Sequence, residues 1–384
     1  MIYYKKYEKI RVLSSNFFMS YLFVFAITFL LSVLFTLGMK KIAIKLKILD
    51  YPDGERKIHK TPIPLLGGVA VFLSFILVLA YYSFFTNLVI WGFISTKHIL
   101  GIILASFIII LGGILDDKYN LKPKVQFIFP LLATLIIIIS GIGINHVRNP
   151  FGGIISFENW DIILFWWQGI PYKITLLADL FTLIWLLGMM YTTKLLDGLD
   201  GLVSGITVIG SLIIFGISMS NNVAQYNTGL IALILAGAFC GFLIFNFQPA
   251  KIFLGESGSL FAGLMLGVLS IISGSKVATT LLIMGIPILD VIWVIGRRLF
   301  NKKAVSLADR KHLHFRLLDI GLSQRQAVIF MYILTALFGS AALFLQTFGK
   351  LIAFIILIIV MLTLGAGLVI IYKYGNIKNR EKIQ

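Results

Sequence analysis

The stretch "LIAFIILIIVMLTLGAGLVIIY" (residues 351–372) decides the fold class, because it runs for 22 residues without a charged side chain. A helix needs about 20 mostly apolar residues to cross the hydrocarbon core of a membrane. A second run, "LFVFAITFLLSVLFTLG" (22–38), has the same character. Charged residues make up 13% of the chain, against about 25% in soluble domains. The sequence therefore predicts an all-α, polytopic integral membrane protein.

The apolar runs predict about eleven transmembrane helices, and the connections between them are mostly short. Their centres fall near residues 28, 75, 107, 134, 182, 211, 237, 266, 289, 335 and 361. No repeat, linker or low-complexity segment divides the chain, so we expect one transmembrane domain over 1–384, with polar tails at 1–16 and 373–384. A secretory signal is not expected, because the first apolar run lacks a small-residue cleavage site. Cys240, the single cysteine, can form no internal disulfide.

Lysine and arginine are distributed unevenly between the two sets of connections. One set, which includes 40–64, 116–124 and 297–325, carries 24 of the 33 basic residues, and the opposite set carries nine. The positive-inside rule assigns the richer set to the cytoplasm, although the N-terminal tail is discordant. This bias explains the net charge of +17 without nucleic-acid binding. Basic loops would also attract nucleotide diphosphates.

Acidic residues gather in the same set of connections. The segment "GGILDDKYNLKPK" (112–124) ends a predicted span in Asp116 and Asp117, which would point about 100° apart on a helix. Close carboxylates repel each other unless a cation lies between them. Mg²⁺ often binds through one or two carboxylates together with substrate phosphates. The alternative is ordinary polarity at a helix end.

The segment "KLLDGLDGL" (194–202) places Asp197 and Asp200 three residues apart, each followed by glycine. Glycine permits a tight turn or a close approach to a ligand. The spacing predicts a turn at the membrane surface with two carboxylates facing one pocket. A simple Asp-Gly turn between two spans is the alternative.

A third segment, "FNFQPAKIFLGESGSL" (245–260), interrupts an apolar pattern with polar residues, proline and glycines. Irregular backbone at the membrane edge must be buried in protein or line a wet cavity. Glu256 would add an oxygen ligand, and Phe253 would offer an aromatic face to a base. A lone aromatic residue is more often a packing or lipid contact.

The segment "DRKHLHFRLLDIGLSQRQAV" (309–328) holds His312 and His314, which share a side if the backbone is extended. With Arg310, Lys311 and Arg316 they form a cationic strip suited to a diphosphate. A transition-metal site is the weaker alternative, because the spacing is not the usual helical zinc pattern. A last segment, "RKIHKTPIPLLGG" (56–68), adds His59 and Lys60, but its function is not readable by itself.

In this order, the five segments resemble the polyprenyl-phosphate N-acetylhexosamine-1-phosphate transferase family, within the glycosyltransferase 4 and phospho-MurNAc-pentapeptide translocase superfamily. The resemblance covers roughly residues 40–330, and it is closest to the branch that uses UDP-GlcNAc and undecaprenyl phosphate. It implies transfer of a sugar 1-phosphate from a UDP-N-acetylhexosamine to undecaprenyl phosphate, with release of UMP. It also implies Mg²⁺, with Mn²⁺ as an alternative, a bacterial cytoplasmic membrane, an active site facing the cytosol, and a homodimer.

The resemblance also implies a role for each matching residue. The expected catalytic residues are Asp116, Asp117, Asp200, His312 and His314. The expected substrate-binding residues are Lys60, Lys194, Asp197, Asn246, Phe253 and Arg316. The expected metal ligands are Asp116, Asp117 and Glu256.

Three positions depart from the family pattern. Lys194 stands where the family usually has asparagine, Glu256 where it has aspartate, and Phe315 where a histidine is common. These departures motivate a second hypothesis, a non-catalytic homologue that binds lipid phosphate. A transporter is a third hypothesis, but the polar residues of a transporter should lie near the bilayer midplane. Here the polar residues cluster at one face of the membrane, and Asp290 is the main exception.

Overall fold

A computed structural model describes residues 14–52, 59, 61–86, 88–157, 161–167, 170–221, 223–273, 277–302 and 312–381. The structure is dominated by helices, which confirms the predicted all-α membrane fold. The helices are α1 (Ser14–Lys45), α2 (Gly67–Phe84), α3 (Thr96–Tyr119), α4 (Pro123–Ile139), α5 (Leu176–Leu196), α6 (Leu202–Met219), α7 (Tyr226–Asn246), α8 (Gly255–Ile272), α9 (Val277–Ile283), α10 (Gly285–Phe300), α11 (Leu313–Asp319), α12 (Gln324–Phe344) and α13 (Thr347–Glu381).

Each of the eleven predicted span centres falls within one of these helices. Among the described residues, nine helices are long and apolar enough to cross a membrane. The pair α9 and α10 passes the same test together but is bent by 78° at its break, and α4 is an apolar helix of 17 residues. The protein is therefore a multi-pass membrane protein, and the number eleven stays a prediction.

Helix α8 lies at the centre of the bundle. It packs against α5, α3 and α2, and 83% of its span is buried inside the protein. Its sequence, "GESGSLFAGLMLGVLSII", places small residues among large ones, which lets neighbouring backbones approach closely. The spans of α1 and α13 are only 22% and 11% buried. These outer helices present their apolar side chains to the lipid.

Short antiparallel ribbons occupy some of the connections, which the sequence pattern treated only as loops. They pair β1 (Leu49–Asp50) with β2 (Ile63–Pro64), β3 (His146–Arg148) with β4 (Ile154–Ser156), and β5 (Asp161–Trp167) with β6 (Ile170–Thr175). The longest ribbon, β5 and β6, is rich in isoleucine, phenylalanine, tryptophan and tyrosine, which favour strands. A search for long apolar runs does not detect strands of two to seven residues.

The ends of several helices meet at one place in the bundle. The C-terminal ends of α3 and α5 lie there with the N-terminal ends of α4 and α8, as the contacts described next show. Helix ends carry backbone groups without partners inside the helix, so polar side chains are needed there. This meeting point holds the acidic residues that the sequence singled out.

Candidate active site

The two adjacent aspartates at the end of α3 bind different partners. Asp117 Oδ1 accepts a hydrogen bond from the backbone N–H of Glu256, at 2.9 Å. Asp116 Oδ1 accepts from the backbone N–H of Leu121 and from Nε2 of Gln126, both at 2.8 Å. Neighbouring residues on a helix point about 100° apart, which explains the division. Asp117 thereby caps the N-terminus of α8, where a negative charge is favoured.

Gly255 brings the first turn of α8 directly against the carboxylate of Asp117. Its φ of 75° lies in the left-handed region, and a Cβ at this position would lie 2.6 Å from Asp117 Oδ2. Any other residue would be strained and would displace the carboxylate. Asp117 Oδ2 is buried and has no hydrogen-bond partner among the described residues. This oxygen is therefore placed to receive a group from outside the protein.

Lys194, in the last turn of α5, links the carboxylates of two other helices. Its ammonium forms an ion pair with Glu256 Oε1, and it donates a hydrogen bond to Oε1 of Gln126 at 3.0 Å. Gln126 in turn donates to Asp116. A continuous polar chain therefore runs from α8 through α5 and α4 to α3. Two of the three residues that depart from the family pattern, Lys194 and Glu256, are direct partners.

The turn between α5 and α6 carries the second pair of aspartates. Asp197 is the residue that ends α5. Part of its surface is exposed, but the protein packed around its carboxyl, together with the charges of Glu256 and Asp200, raises its pKa to about 8. Asp200 Oδ2 accepts a hydrogen bond from the backbone N–H of Ala250, at 2.9 Å. Asp117 also lies within electrostatic range of Asp197. The structure therefore brings both aspartate pairs and Glu256 into one acidic cluster.

The loop between α7 and α8 is held from both sides. Asn246 is buried, and its amide accepts from Ser204 Oγ at 2.8 Å and donates to the carbonyl of Ile252 at 3.1 Å. Phe253 donates its backbone N–H to the carbonyl of Pro64, at 2.8 Å, and its ring meets His59 edge-on. In this conformation Asn246 shapes the loop, while Phe253 is half-buried. Their predicted contacts with substrate stay predictions.

The two histidines lie side by side at the start of α11. Their rings stack with centroids 5.6 Å apart, and His312 Nδ1 lies 2.8 Å from Asp290 Oδ2. A carboxylate only accepts, so Nδ1 carries the hydrogen. Asp290 Oδ1 also accepts from the backbone N–H of Leu313, at 2.8 Å. The carboxylate on α10 therefore fixes both the ring of His312 and the start of α11.

His314 packs against the aspartate turn. A Cβ on Gly198 would lie 2.6 Å from His314 Nε2, so the missing side chain makes room for the ring. The ring is fully buried, and neither nitrogen has a hydrogen-bond partner among the described residues. Burial lowers the pKa of His314 to about 4, although the charge of Asp290 opposes the shift. At neutral pH this ring would therefore contribute hydrogen bonds and not the positive charge that the sequence suggested.

An apolar cavity of about 950 Å³ opens between α10 and α13, next to α11. Its lining includes Trp293, Phe300, Met361 and Leu362, with Arg297 and Arg316 among the polar residues. Leu313, which neighbours His314, also lines it. The cavity therefore adjoins the segment that packs on the aspartate turn.

The donor set suits a cation that brings most of its own ligands. In the part of the chain that the structure describes, no three His, Cys, Asp or Glu side chains are arranged to hold a metal ion. Mg²⁺, however, keeps several waters and needs only one or two carboxylates beside substrate phosphates. The buried, unpartnered Oδ2 of Asp117 fits such a ligand, and Asp116 adjoins it. Glu256 forms an ion pair with Lys194, and its role as a metal ligand stays a prediction. Lys60 lies outside the described residues.

Sequence reasoning missed Gln126, and it named Asp290 only as an exceptional polar residue, without a role in the site. Gln126 bridges Asp116 and Lys194, and Asp290 anchors His312. Each is a polar side chain in a mainly apolar helix, which is the signal that would have identified it. Polar residues within membrane helices are expensive unless they have partners, so by default they indicate function.

The chain resembles proteins of known classification over most of its length. Residues 99–274, from α3 to the end of α8, match glycosyl transferase family 4. A probable undecaprenyl-phosphate N-acetylglucosaminyl 1-phosphate transferase of Bacillus subtilis is 32% identical over 329 residues, which cover 84% of each chain. A decaprenyl-phosphate N-acetylglucosaminephosphotransferase of Mycobacterium tuberculosis is 29% identical over 331 residues, covering 79% of this chain and 78% of its own. A putative UDP-N-acetylglucosamine–dolichyl-phosphate N-acetylglucosaminephosphotransferase of Saccharolobus solfataricus is 30% identical over 304 residues, covering 76% and 86%.

Proposed function

Because the chain belongs to glycosyl transferase family 4, the family that its five segments resembled, we propose that it transfers GlcNAc-1-phosphate from UDP-GlcNAc to undecaprenyl phosphate. An oxygen of the lipid phosphate attacks the phosphorus that carries the sugar. The bond from that phosphorus to the bridging oxygen breaks, and UMP leaves. The products are undecaprenyl-diphosphate-GlcNAc and UMP. Transfer of this kind is the first membrane step in the synthesis of a cell-envelope polysaccharide.

One observation carries the proposal: the acidic cluster and the Lys194 ammonium lie together at the ends of α3, α5 and α8. Both substrates are anionic at phosphorus, so positive charge must accompany them before they can approach each other. Groups that are fixed in place and aimed at developing charge supply much of the catalysis in such reactions. Lys194 is a cation held within this cluster, and Arg316 is a cation on the lining of the adjoining cavity.

A metal ion would supply the remaining positive charge, and we propose Mg²⁺ for this role, with Mn²⁺ as a substitute. Asp117 and Asp116 would hold it together with substrate phosphates and water. When bound, the ion stabilises negative charge on the transferring phosphoryl group and on the leaving UMP. The same two aspartates would orient the acceptor phosphate. His314, neutral and buried, would donate or accept a hydrogen bond at the diphosphate or sugar.

The cavity between α10 and α13 supports a lipid acceptor. An isoprenoid tail is apolar, and the aromatic and aliphatic lining would shield it from water. Arg316, on the same lining, would face the phosphate at the head of the chain. Asp197 and Phe253 would contact the nucleotide. The site would face the cytosol of the bacterial cytoplasmic membrane, as the lysine and arginine bias predicts. The homodimer stays a prediction.

The experiment is to mix purified protein with undecaprenyl phosphate and a panel of UDP-sugars, with Mg²⁺ or EDTA, and to measure UMP release. We expect release with UDP-GlcNAc and lipid, lowered by EDTA. Asp117→Asn should lower the rate by at least about 100-fold, because a positioned charged group typically contributes 10²–10⁴-fold. Asp319→Asn, an exposed carboxylate at the end of α11, is the matched control and should retain the rate.

Donor binding in the same samples distinguishes the competing hypothesis. A protein that binds UDP-sugar but releases no UMP with any donor, lipid or cation would be a non-catalytic homologue. Such a result would contradict the proposed function, and it would make Lys194 and Glu256 the first residues to revert to asparagine and aspartate.

A further inference from the structure

The ion pair of Lys194 and Glu256 is the feature of the site that the proposed reaction does not yet explain. The resemblance assigns Glu256 to a metal and leaves Lys194 as a general substrate contact. In the structure the two are partners, and both are mostly but not fully buried, with side chains 20% and 16% exposed. The inference that follows rests on the proposed function, because it concerns how the donor diphosphate is held.

The contacts of Lys194 leave capacity for a ligand. An ammonium carries three N–H donors. Glu256 takes one, and the hydrogen bond to Gln126 Oε1 takes a second. A third donor remains beyond these two contacts. The ammonium is held by two helices other than its own, so its position is set before any substrate arrives.

The surroundings of the pair favour an anion with several oxygens. Lys194 lies in the last turn of α5, and Glu256 lies in the first turn of α8, whose N-terminal end favours negative charge. Phosphate oxygens are strong acceptors for a charged donor. Oε1 of Glu256 forms the ion pair with the lysine, while Oδ2 of Asp117, at the same helix end, has neither an ion pair nor a hydrogen bond among the described residues.

We propose that Lys194 is a resident cation for the donor diphosphate, and that Glu256 is a positioning residue for Lys194 and not a metal ligand. The lysine binds the diphosphate whether or not a metal is present. The metal requirement therefore belongs to the transfer step and not to donor binding. Lys194 and Glu256 act as one unit, in which the negative charge of the carboxylate keeps the ammonium in place.

The test measures UDP-GlcNAc affinity of the purified full-length protein by calorimetry, once in EDTA and once in Mg²⁺. The unaltered protein should show dissociation constants within about threefold of each other. Lys194→Met should weaken binding in EDTA by about tenfold or more, since a hydrogen bond to a charged group is lost. Lys251→Met removes an exposed lysine from the nearby α7–α8 loop and should leave both constants unchanged.

Variants of Glu256 separate positioning from metal binding. Glu256→Gln should weaken donor binding in EDTA and leave unchanged the Mg²⁺ concentration that half-activates UMP release. Glu256→Asp keeps the negative charge, and its donor affinity in EDTA should stay within about threefold of that of the unaltered protein, because the flexible lysine stem can follow the shorter carboxylate. The double variant Lys194→Asn with Glu256→Asp should bind the donor tightly only with Mg²⁺.

Three outcomes would overturn the inference. The first is tight donor binding by Lys194→Met in EDTA. The second is a Glu256→Gln protein that binds donor normally in EDTA but needs at least tenfold more Mg²⁺ for activity, which would make Glu256 a metal ligand. The third is that the unaltered protein binds no donor in EDTA or in Mg²⁺, which would also contradict the proposed donor. If the unaltered protein releases UMP but Lys194→Met binds the donor normally, this inference is wrong and the proposed function stands.

Discussion

Replacing Asp290 by alanine should disable the site from a distance, because this carboxylate anchors the segment that carries both histidines. Asp290 is 6% exposed, and its two oxygens meet His312 Nδ1 and the backbone N–H of Leu313, both at 2.8 Å. Hydrogen bonds to charged groups contribute about 1.5–3 kcal/mol each. Loss of both therefore weakens the docking of α11 by roughly 3–6 kcal/mol, before any relaxation.

The expected consequence is a fall in transfer rate. Every 1.4 kcal/mol corresponds to about a factor of ten, so even the lower value would reduce the docked population by about 100-fold if docking were marginal. Part of that loss will be hidden by an excess of docking stability, so we expect the rate of UMP release to fall by at least about tenfold. Asp290→Asn keeps an oxygen for the Leu313 N–H and should lose less.

The assay is the initial rate of UMP release at saturating donor and lipid. Asp319→Ala is the control, because it removes an exposed carboxylate from the other end of α11. A thermal unfolding midpoint measured on each protein shows whether the bundle itself survives. A well-folded Asp290→Ala protein with a rate within threefold of the unaltered one would refute the reasoning.

Three further predictions concern single contacts. Gly255→Ala should lower UMP release far more than Gly321→Ala. Both glycines have positive φ, so alanine would be strained by about 1–2 kcal/mol at either position. Only at Gly255 would the added Cβ press against Asp117, so equal rates of UMP release by the two variants would contradict the reasoning. Gln126→Leu breaks the polar chain between α3 and α5 and should lower kcat/KM about tenfold, through a cost of about 1–3 kcal/mol. Gln324→Leu, at a partly exposed glutamine that begins α12, is the control and should retain kcat/KM. His314 has its pKa lowered to about 4, so the unfolded chain binds its proton first as pH falls. The stability that the neutral ring contributes is complete above pH 6.5 and is lost towards pH 4. His314→Asn should therefore reduce the dependence of the thermal unfolding midpoint on pH over that range. An unchanged pH dependence would argue against the burial of the ring.

The lysine inside the acidic cluster changes the charge balance of the site. The ionised carboxylates of the cluster would repel both the donor and the acceptor, and a mobile metal alone would have to overcome that repulsion. A lysine that is held by Glu256 and Gln126 supplies part of the opposing charge permanently. Its helix position, in the last turn of α5, also suits a cation. On the proposed function, part of the donor site is therefore in place before the donor binds.

The amino-acid sequence alone determined the membrane class, the places of the helices and the segments that hold the chemistry. These properties are local: a run of about 20 apolar residues predicts a span whatever surrounds it, and Asp-Asp or Asp-Gly-Leu-Asp can be seen without knowing its neighbours. The family was visible for the same reason, since order and residue types along the chain carry the resemblance.

Only the tertiary structure decided which polar groups meet. Lys194 and Gln126 are 68 residues apart, and Asp117 and Glu256 are 139 apart, so their contacts depend on how α3, α4, α5 and α8 pack. Asn246 shows the same point: its predicted contact with substrate stays a prediction, but its hydrogen bonds to Ser204 and to the carbonyl of Ile252 are visible only in the folded chain. A residue type states which hydrogen bonds a side chain can make. Helix packing, which is non-local, determines with which partner it makes them.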